Sequence, residues 1–164
     1  MPAAFRLSCL VLLALAAAPA SAQRQSADVV AWSSRVVADG PGEARLVVAA
    51  TVAEGWRLYA IGSPAGRPLT LALDPLPPGV ATAGALRQSR PREGYDEGLR
   101  TDYTYHEGAV RIEQPLRVTT EAAGRHRLTG TLRYAVCNDS VCLRPSATSV
   151  AATLRVRGGA ADGS

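Results

Sequence analysis

Two cysteines stand close together in the stretch LRYAVCNDSVCLRP, residues 132–145. Between Cys137 and Cys142 lie Asn138, Asp139 and Ser140, all turn formers, and Val141, so the spacing predicts a hairpin tip with one sulfur on each arm. Three chemistries suit such a pair. As a disulfide staple it closes a ring of only six residues, which contributes about 2 kcal/mol by restricting the unfolded chain, against nearly 5 for a ~100-residue loop. As a metal clip it needs two further ligands, and the two histidines, His106 and His126, match no finger or knuckle spacing. No metal and no cofactor is therefore expected. As a redox site it needs a thiolate, an accessible sulfur and a second cysteine near enough to resolve a mixed disulfide. Arg144 would favour a Cys142 thiolate and Asp139 would oppose it. On the residues alone the staple and the redox site both stay open.

The segments that must position the pair alternate with a period of two. In ARLVVAATVA, Leu46, Val48, Ala50 and Val52 share one face, with Arg45 and Thr51 on the other. In HRLTGTLRYAV, Leu128, Leu132, Tyr134 and Val136 alternate with Arg127, Thr129, Thr131 and Arg133. Val150, Ala152, Leu154 and Val156 repeat the pattern in SVAATLRVR. Such alternation predicts antiparallel strands with one buried and one wetted face. Turn signals at 39–43, 74–79, 106–108 and 121–124 separate them, and no amphipathic helix of useful length is found. The fold class expected is all-β, an immunoglobulin-like antiparallel sandwich of about seven to nine strands. The antibody Cys…Trp…Cys framework is absent. One segment breaks the rhythm: QSRPREGYDEGLRTD, residues 88–102, is charged, rich in turn formers and too irregular for a strand, so it is read as a loop. A redox pair here would work from a β scaffold, since no Cys-x-x-Cys helix start and no βαβ pattern is present.

The first residues have the form of a secretory leader. Arg6 precedes an apolar run from Leu7 to Ala18, and Ala20-Ser21-Ala22 predicts cleavage before Gln23. Cys9 would leave with the leader, and one domain over 23–157 would remain, followed by a disordered tail at 158–164. No stretch is long and apolar enough to span a bilayer. All 18 basic residues are arginines, and the net charge of +4 becomes +3 without Arg6, because residues 1–22 carry no acid. The arginines are scattered rather than clustered, which argues against nucleic-acid binding. Export places the chain in an oxidising compartment, where the pair rests as a disulfide.

Two motifs resemble those of one family. EGWRLYAIGSPAGRPLTLAL, residues 54–73, is similar to the Gly-aromatic-x-hydrophobic-Tyr strand of the N-terminal periplasmic domain of the thiol–disulfide interchange protein DsbD. LRYAVCNDSVCLRPSATSV, residues 132–150, is similar to that family's Tyr-x-x-Cys-x(4–5)-Cys-x-Pro active hairpin. Between them GYDEGLRTDYTYHEGAVRIEQPL resembles its capping loop and following strands, so nearly the whole mature chain is covered. The resemblance implies an immunoglobulin-like electron carrier of the periplasm, a component of a protein-disulfide reductase. It implies that Cys142 forms the mixed disulfide with partners, that Cys137 resolves it, and that Tyr59 packs near the pair. It implies a lid as well. The family's lid shields the sulfurs with a phenylalanine after an Asp-Glu pair; here Asp96 and Glu97 are followed by Gly98 and Leu99, leaving Leu99 or Tyr95 to replace it. Trp56 is assigned to the core. The partners implied are thioredoxin-like periplasmic proteins, of the disulfide-isomerase or cytochrome-maturation type, with a separately encoded membrane protein as electron donor. The competing expectation is a secreted immunoglobulin-like binding module with an inert hairpin disulfide.

Overall fold

A computed structural model of the chain describes residues 24–97 and 100–157. The leader, Leu99 and the tail lie outside the described residues. Twelve strands occur among the described residues: β1 (Val30–Gly40), β2 (Glu43–Val52), β3 (Arg57–Tyr59), β4 (Thr70–Leu73), β5 (Val80–Thr82), β6 (Arg87–Gln88), β7 (Arg92–Asp96), β8 (Thr101–His106), β9 (Ala109–Val118), β10 (Gly124–Tyr134), β11 (Val136–Cys137) and β12 (Ser146–Val156). Three of the long strands, β2, β10 and β12, are those the alternation announced; β1 and β9 join them. The surplus over seven to nine comes from pieces such as β3, β5, β6 and β11, two or three residues long and too short to show a period. Among the described residues no helix is long and apolar enough to cross a membrane.

All pairings between named strands are antiparallel. One sheet runs β1-β2-β9-β5, with β6 also on β9; a second runs β12-β10-β4; a third runs β11-β3-β8-β7. The apolar faces of the first two meet in one core, where Leu46, Val48, Ile112 and Leu116 pack with Leu128, Leu132, Val150 and Leu154. Each such side chain contributes about 1.5–3 kcal/mol by leaving water. Trp56 joins this core at 6% exposure, as expected.

The segment 88–102 does not form the irregular loop its sequence suggested. Residues 92–96 are strand β7, paired with β8 in a hairpin whose register sets Tyr95 opposite Asp102 and Asp96 opposite Thr101. The sequence hides this strand because neither of its faces is apolar, so no buried alternation marks it. His106 also differs from expectation: it ends β8 rather than sitting in a turn, and it is buried. The register Val136↔Leu58↔His106 places all three on the inner face of the third sheet. His106 Nε2 lies 2.9 Å from Gln88 Oε1, which also accepts from the Ile61 amide at 2.8 Å, while Gln88 Nε2 donates to the Ile61 carbonyl at 3.0 Å. Since Oε1 can only accept, Nε2 of His106 carries the proton. Burial holds the imidazole below its ordinary pKa. This clip joins β6 and the loop after β3 to the sheet that carries the cysteines.

Candidate functional site

The hairpin after β10 is built by its own turn residues. The Asn138 side chain accepts from the amides of Ser140 at 2.9 Å and Val141 at 2.8 Å, and the Asn138 amide donates to the Val141 carbonyl at 2.9 Å. Leu143 N–H donates to the Val136 carbonyl at 3.0 Å. Hydrogen bonds on both sides of them make Cys137 and Cys142 the non-hydrogen-bonded pair of a short antiparallel ladder, the pair type whose side chains come closest. Their Cα atoms are 4.0 Å apart and their sulfurs form a disulfide of 2.02 Å. The two residues are not equivalent. Cys142 is exposed and Cys137 is half-buried.

The register of the third sheet decides what surrounds Cys137. Arg57 stands directly opposite it on β3, and Tyr59, two residues on, shares that face. Tyr59 is opposite Tyr105, and Tyr103 is opposite Gly94, with Asp96 next on the same face of β7. Arg57, Tyr59, Asp96 and Tyr103 line a pocket of about 90 Å³ with both cysteines and Asn138. The Tyr59 hydroxyl lies 3.5 Å from Cys137 Sγ; against a disulfide sulfur the O–H is the donor and the sulfur a weak acceptor. Tyr59 and Tyr103 meet edge to face with centroids 5.8 Å apart, and Tyr103 and Tyr105 follow at 5.4 Å.

Two glycines make room for this aromatic row. A Cβ on Gly66 would fall 2.3 Å from Tyr59 Cζ, and one on Gly94 would fall 2.7 Å from Tyr103 Cζ. Gly66 also has a φ of +76°, in the left-handed region where a side chain is strained.

Charge is arranged around Arg57. Its guanidinium pairs with Asp139 at 2.8 Å, has Glu107 as a looser ion-pair neighbour 3.5 Å from Nε with no hydrogen bond there, and lies 5.4 Å from the Tyr105 ring centroid. Burial alone would lower its pKa, but the Asp139 hydrogen bond and the surrounding charges outweigh that and raise it. Burial pushes the Tyr59 hydroxyl upward, reinforced by Asp96 and Tyr103. Among the described residues no three His, Cys, Asp or Glu side chains gather as metal ligands.

The residues singled out in the sequence fall in different places. Cys137, Cys142, Tyr59 and Asp96 come together. Tyr95 alternates to the face opposite Asp96 and is 52% exposed, so it does not cover the sulfurs. Glu97 is exposed in the turn after β7. The side chain of Arg144 is not in the pocket; the arginine there is Arg57, which the sequence reading missed along with Tyr103, Gly66 and Gly94. The available signal was the alternation Arg57-Leu58-Tyr59, which sets Arg57 and Tyr59 on one face.

Known proteins give the chain its family and its fold. Residues 27–154 match the family described as thiol:disulfide interchange protein DsbD, N-terminal. The fold is similar to the crystal structure of the Neisseria meningitidis DsbD N-terminal domain in the reduced form. That match has a TM-score of 0.52 and 16% identity, covering 83% of this chain and 92% of that one. It is similar, at TM-score 0.47 and 14% identity, to the N-terminal periplasmic domain of ScsB from Proteus mirabilis, covering 74% of this chain and 44% of that one. No curated protein matches the sequence.

Proposed function

The chain belongs to the DsbD N-terminal family of thiol:disulfide interchange proteins, and from that membership we propose that it is a periplasmic carrier of electrons between the dithiols and disulfides of partner proteins. The single observation that supports the assignment of roles is the unequal exposure of the two cysteines: Cys142 open to solvent, Cys137 half-buried beneath Tyr59. A partner thiolate reaches Cys142 Sγ, forms the new S–S bond there and breaks the Cys137–Cys142 bond. The electron pair leaves on Cys137 as a thiolate. That charge develops against the Tyr59 hydroxyl and opposite Arg57, and a stabilised leaving thiolate departs faster. The partner's second thiolate then attacks the partner's own sulfur, which releases Cys142 as a thiolate and leaves the domain reduced by two electrons. In the donating direction Cys142 attacks a partner disulfide and Cys137 displaces it. The partners are thioredoxin-like proteins presenting a Cys-x-x-Cys pair.

Trapping tests the roles. Reduced Cys137→Ala protein, mixed with an oxidised thioredoxin-like protein, should accumulate a mixed disulfide stable to electrophoresis without reductant. Cys142→Ala should give none. A complex formed through Cys137, or none in either variant, would remove the assignment.

A further inference from the structure

Cys142, the exposed member of the disulfide, lies in the wall of a groove of about 650 Å³ that Arg24 and Arg144 also line. The Ser26 hydroxyl donates to the Arg144 carbonyl at 2.7 Å and so ties the N-terminal segment alongside the hairpin. Ser146 borders this groove and also a cleft of about 660 Å³, which holds Arg67 and Arg133. Arginines scattered through the sequence thus gather on the side of the exposed cysteine, and all four are exposed. No Asp or Glu lines either cleft. The carboxylates close to them in sequence are engaged elsewhere: Asp28 accepts from the Gln25 amide at 2.6 Å, and Asp139 pairs with Arg57 at 2.8 Å. Among the described residues none of the four arginines forms an ion pair. The cleft of about 250 Å³ around Arg45 differs, because Asp39, Glu43 and Glu113 line it together with its arginines. Val141, beside Cys142, is 49% exposed, so an apolar contact adjoins the sulfur.

Uncompensated cations along a cleft concentrate anions and speed their arrival, and at an interface they fit a face of opposite sign. We propose that this arginine-lined face docks a folded thioredoxin-like partner whose reactive cysteine is bordered by carboxylates, with Val141 as the apolar contact beside the two sulfurs. The inference rests on the exchange reading above and gives the partner of that same site its surface chemistry. A Cys-x-x-Cys partner presents its cysteine at a helix start. That start is the positive end of the helix dipole and offers the arginines nothing. The attraction has to come from carboxylates on the partner surface around it, which meet Arg24 and Arg144 in the groove of Cys142 and Arg67 and Arg133 in the next cleft. A partner with a basic border meets like charge instead. The face therefore discriminates between partners that carry the same dithiol chemistry.

Charge variants of one folded probe test this. A thioredoxin with its resolving cysteine replaced by serine is prepared as the 2-pyridyl mixed disulfide. One form has glutamates on the loops around the cysteine and another has lysines there. Cys142 of the reduced chain attacks the thioredoxin sulfur and expels pyridine-2-thiolate, which takes up a proton as the neutral thione and gives the absorbance that is followed. Cys137 then attacks Cys142, releases the thioredoxin thiolate and closes the disulfide. Each rate is divided by the same adduct's rate with dithiothreitol, which removes differences in the adduct's own reactivity. At low ionic strength the acidic form should react about tenfold faster than the basic one, with the gap closing in high salt. Arg24→Gln/Arg144→Gln should remove most of the gap. Arg125→Gln/Arg155→Gln should keep it, since that variant takes the same charge from two exposed, facing residues at the end of the β10–β12 ladder away from Ser146. Equal rates for the two forms, a gap that survives Arg24→Gln/Arg144→Gln, or one lost equally in both double variants would overturn the inference. The 2-hydroxyethyl 2-pyridyl disulfide keeps the two readings apart. If it reacts while the two thioredoxins show no difference, the docking inference falls and the exchange reading stands. If nothing reacts, both fall.

Discussion

Tyr59 and Arg57 stand beside Cys137 on the strand paired with it, and in the proposed exchange each would act on the charge that sulfur takes up when the disulfide opens. The upward pressure on the Tyr59 hydroxyl, from burial first and then from Asp96 and Tyr103, keeps it a protonated donor through neutral pH. A hydrogen bond to a charged acceptor contributes about 1.5–3 kcal/mol, of which part is developed in the transition state. Tyr59→Phe should therefore slow opening of the oxidised protein by a dithiol about tenfold, equivalent to roughly 1.4 kcal/mol. Stopped-flow measurement gives the rate, and an unchanged value would mean that the hydroxyl takes no part. Asp139→Asn should act in the opposite sense. It removes an anion from the turn and frees Arg57 from its 2.8 Å partner, so the same rate should rise. The gain should be about two- or threefold, because exposed ion pairs are individually weak. Tyr59 was legible from the sequence because a motif marks it. Arg57 was not, because its position opposite Cys137 exists only once β11 has paired with β3.

One loop and one strand hold these side chains in place by what they lack. Gly66, in the loop before β4, and Gly94, in the middle of β7, let a backbone lie flat against Tyr59 and Tyr103. Gly66→Ala combines a 2.3 Å clash with a φ of +76°. It should destabilise the domain by about 1–3 kcal/mol and also shift the dithiol opening rate, because Tyr59 must move. A loss of thermal stability with the rate untouched would separate Tyr59 from the chemistry. The β8 end of the same sheet carries a pH dependence. His106 binds a proton less readily in the folded chain than in the unfolded chain, so its contribution is present above its ordinary pKa of 6.5 and is lost as pH falls through the lowered folded value. The melting temperature should fall as pH drops from about 7 toward 5, and more steeply than in His106→Gln; parallel curves would show that other groups control the slope. Strands β2, β10 and β12 of the main core were readable from alternation because one face of each is dry. β7 was not, since an edge strand with two polar faces carries no such period, and its pairing with β8 depends on contacts across the turn.

At the scale of the molecule the cysteines stand at the margin of the core, next to Val136 and Leu143, and most of the core is built by other strands. Most of the buried leucines and valines that close the sandwich come from β1, β2, β9, β10 and β12, which contain no cysteine, while β11 sets Val136 in the same core next to Cys137. The disulfide closes a ring across a sequence separation of 5, at one end of the third sheet. Its restraint on the unfolded chain is about 2 kcal/mol, a minor share of the roughly 5–15 kcal/mol expected of a folded domain. Linkage converts this into a redox property. Whatever the disulfide adds to the fold, the fold returns to the disulfide, and for this two-electron couple 1.4 kcal/mol corresponds to about 30 mV. The fold should thus lower the potential by only about 40–50 mV relative to the same ring in the unfolded chain. Two measurements must then agree. Denaturation of oxidised and reduced protein should differ by about 2 kcal/mol with unchanged strand content by circular dichroism. Equilibration against thiol buffers should place the couple between about −270 and −120 mV, where it can both accept and pass on electrons. A stability difference of about 5 kcal/mol or more, with a potential below about −300 mV, would instead make Cys137–Cys142 a structural bond and the chain an immunoglobulin-like binding module.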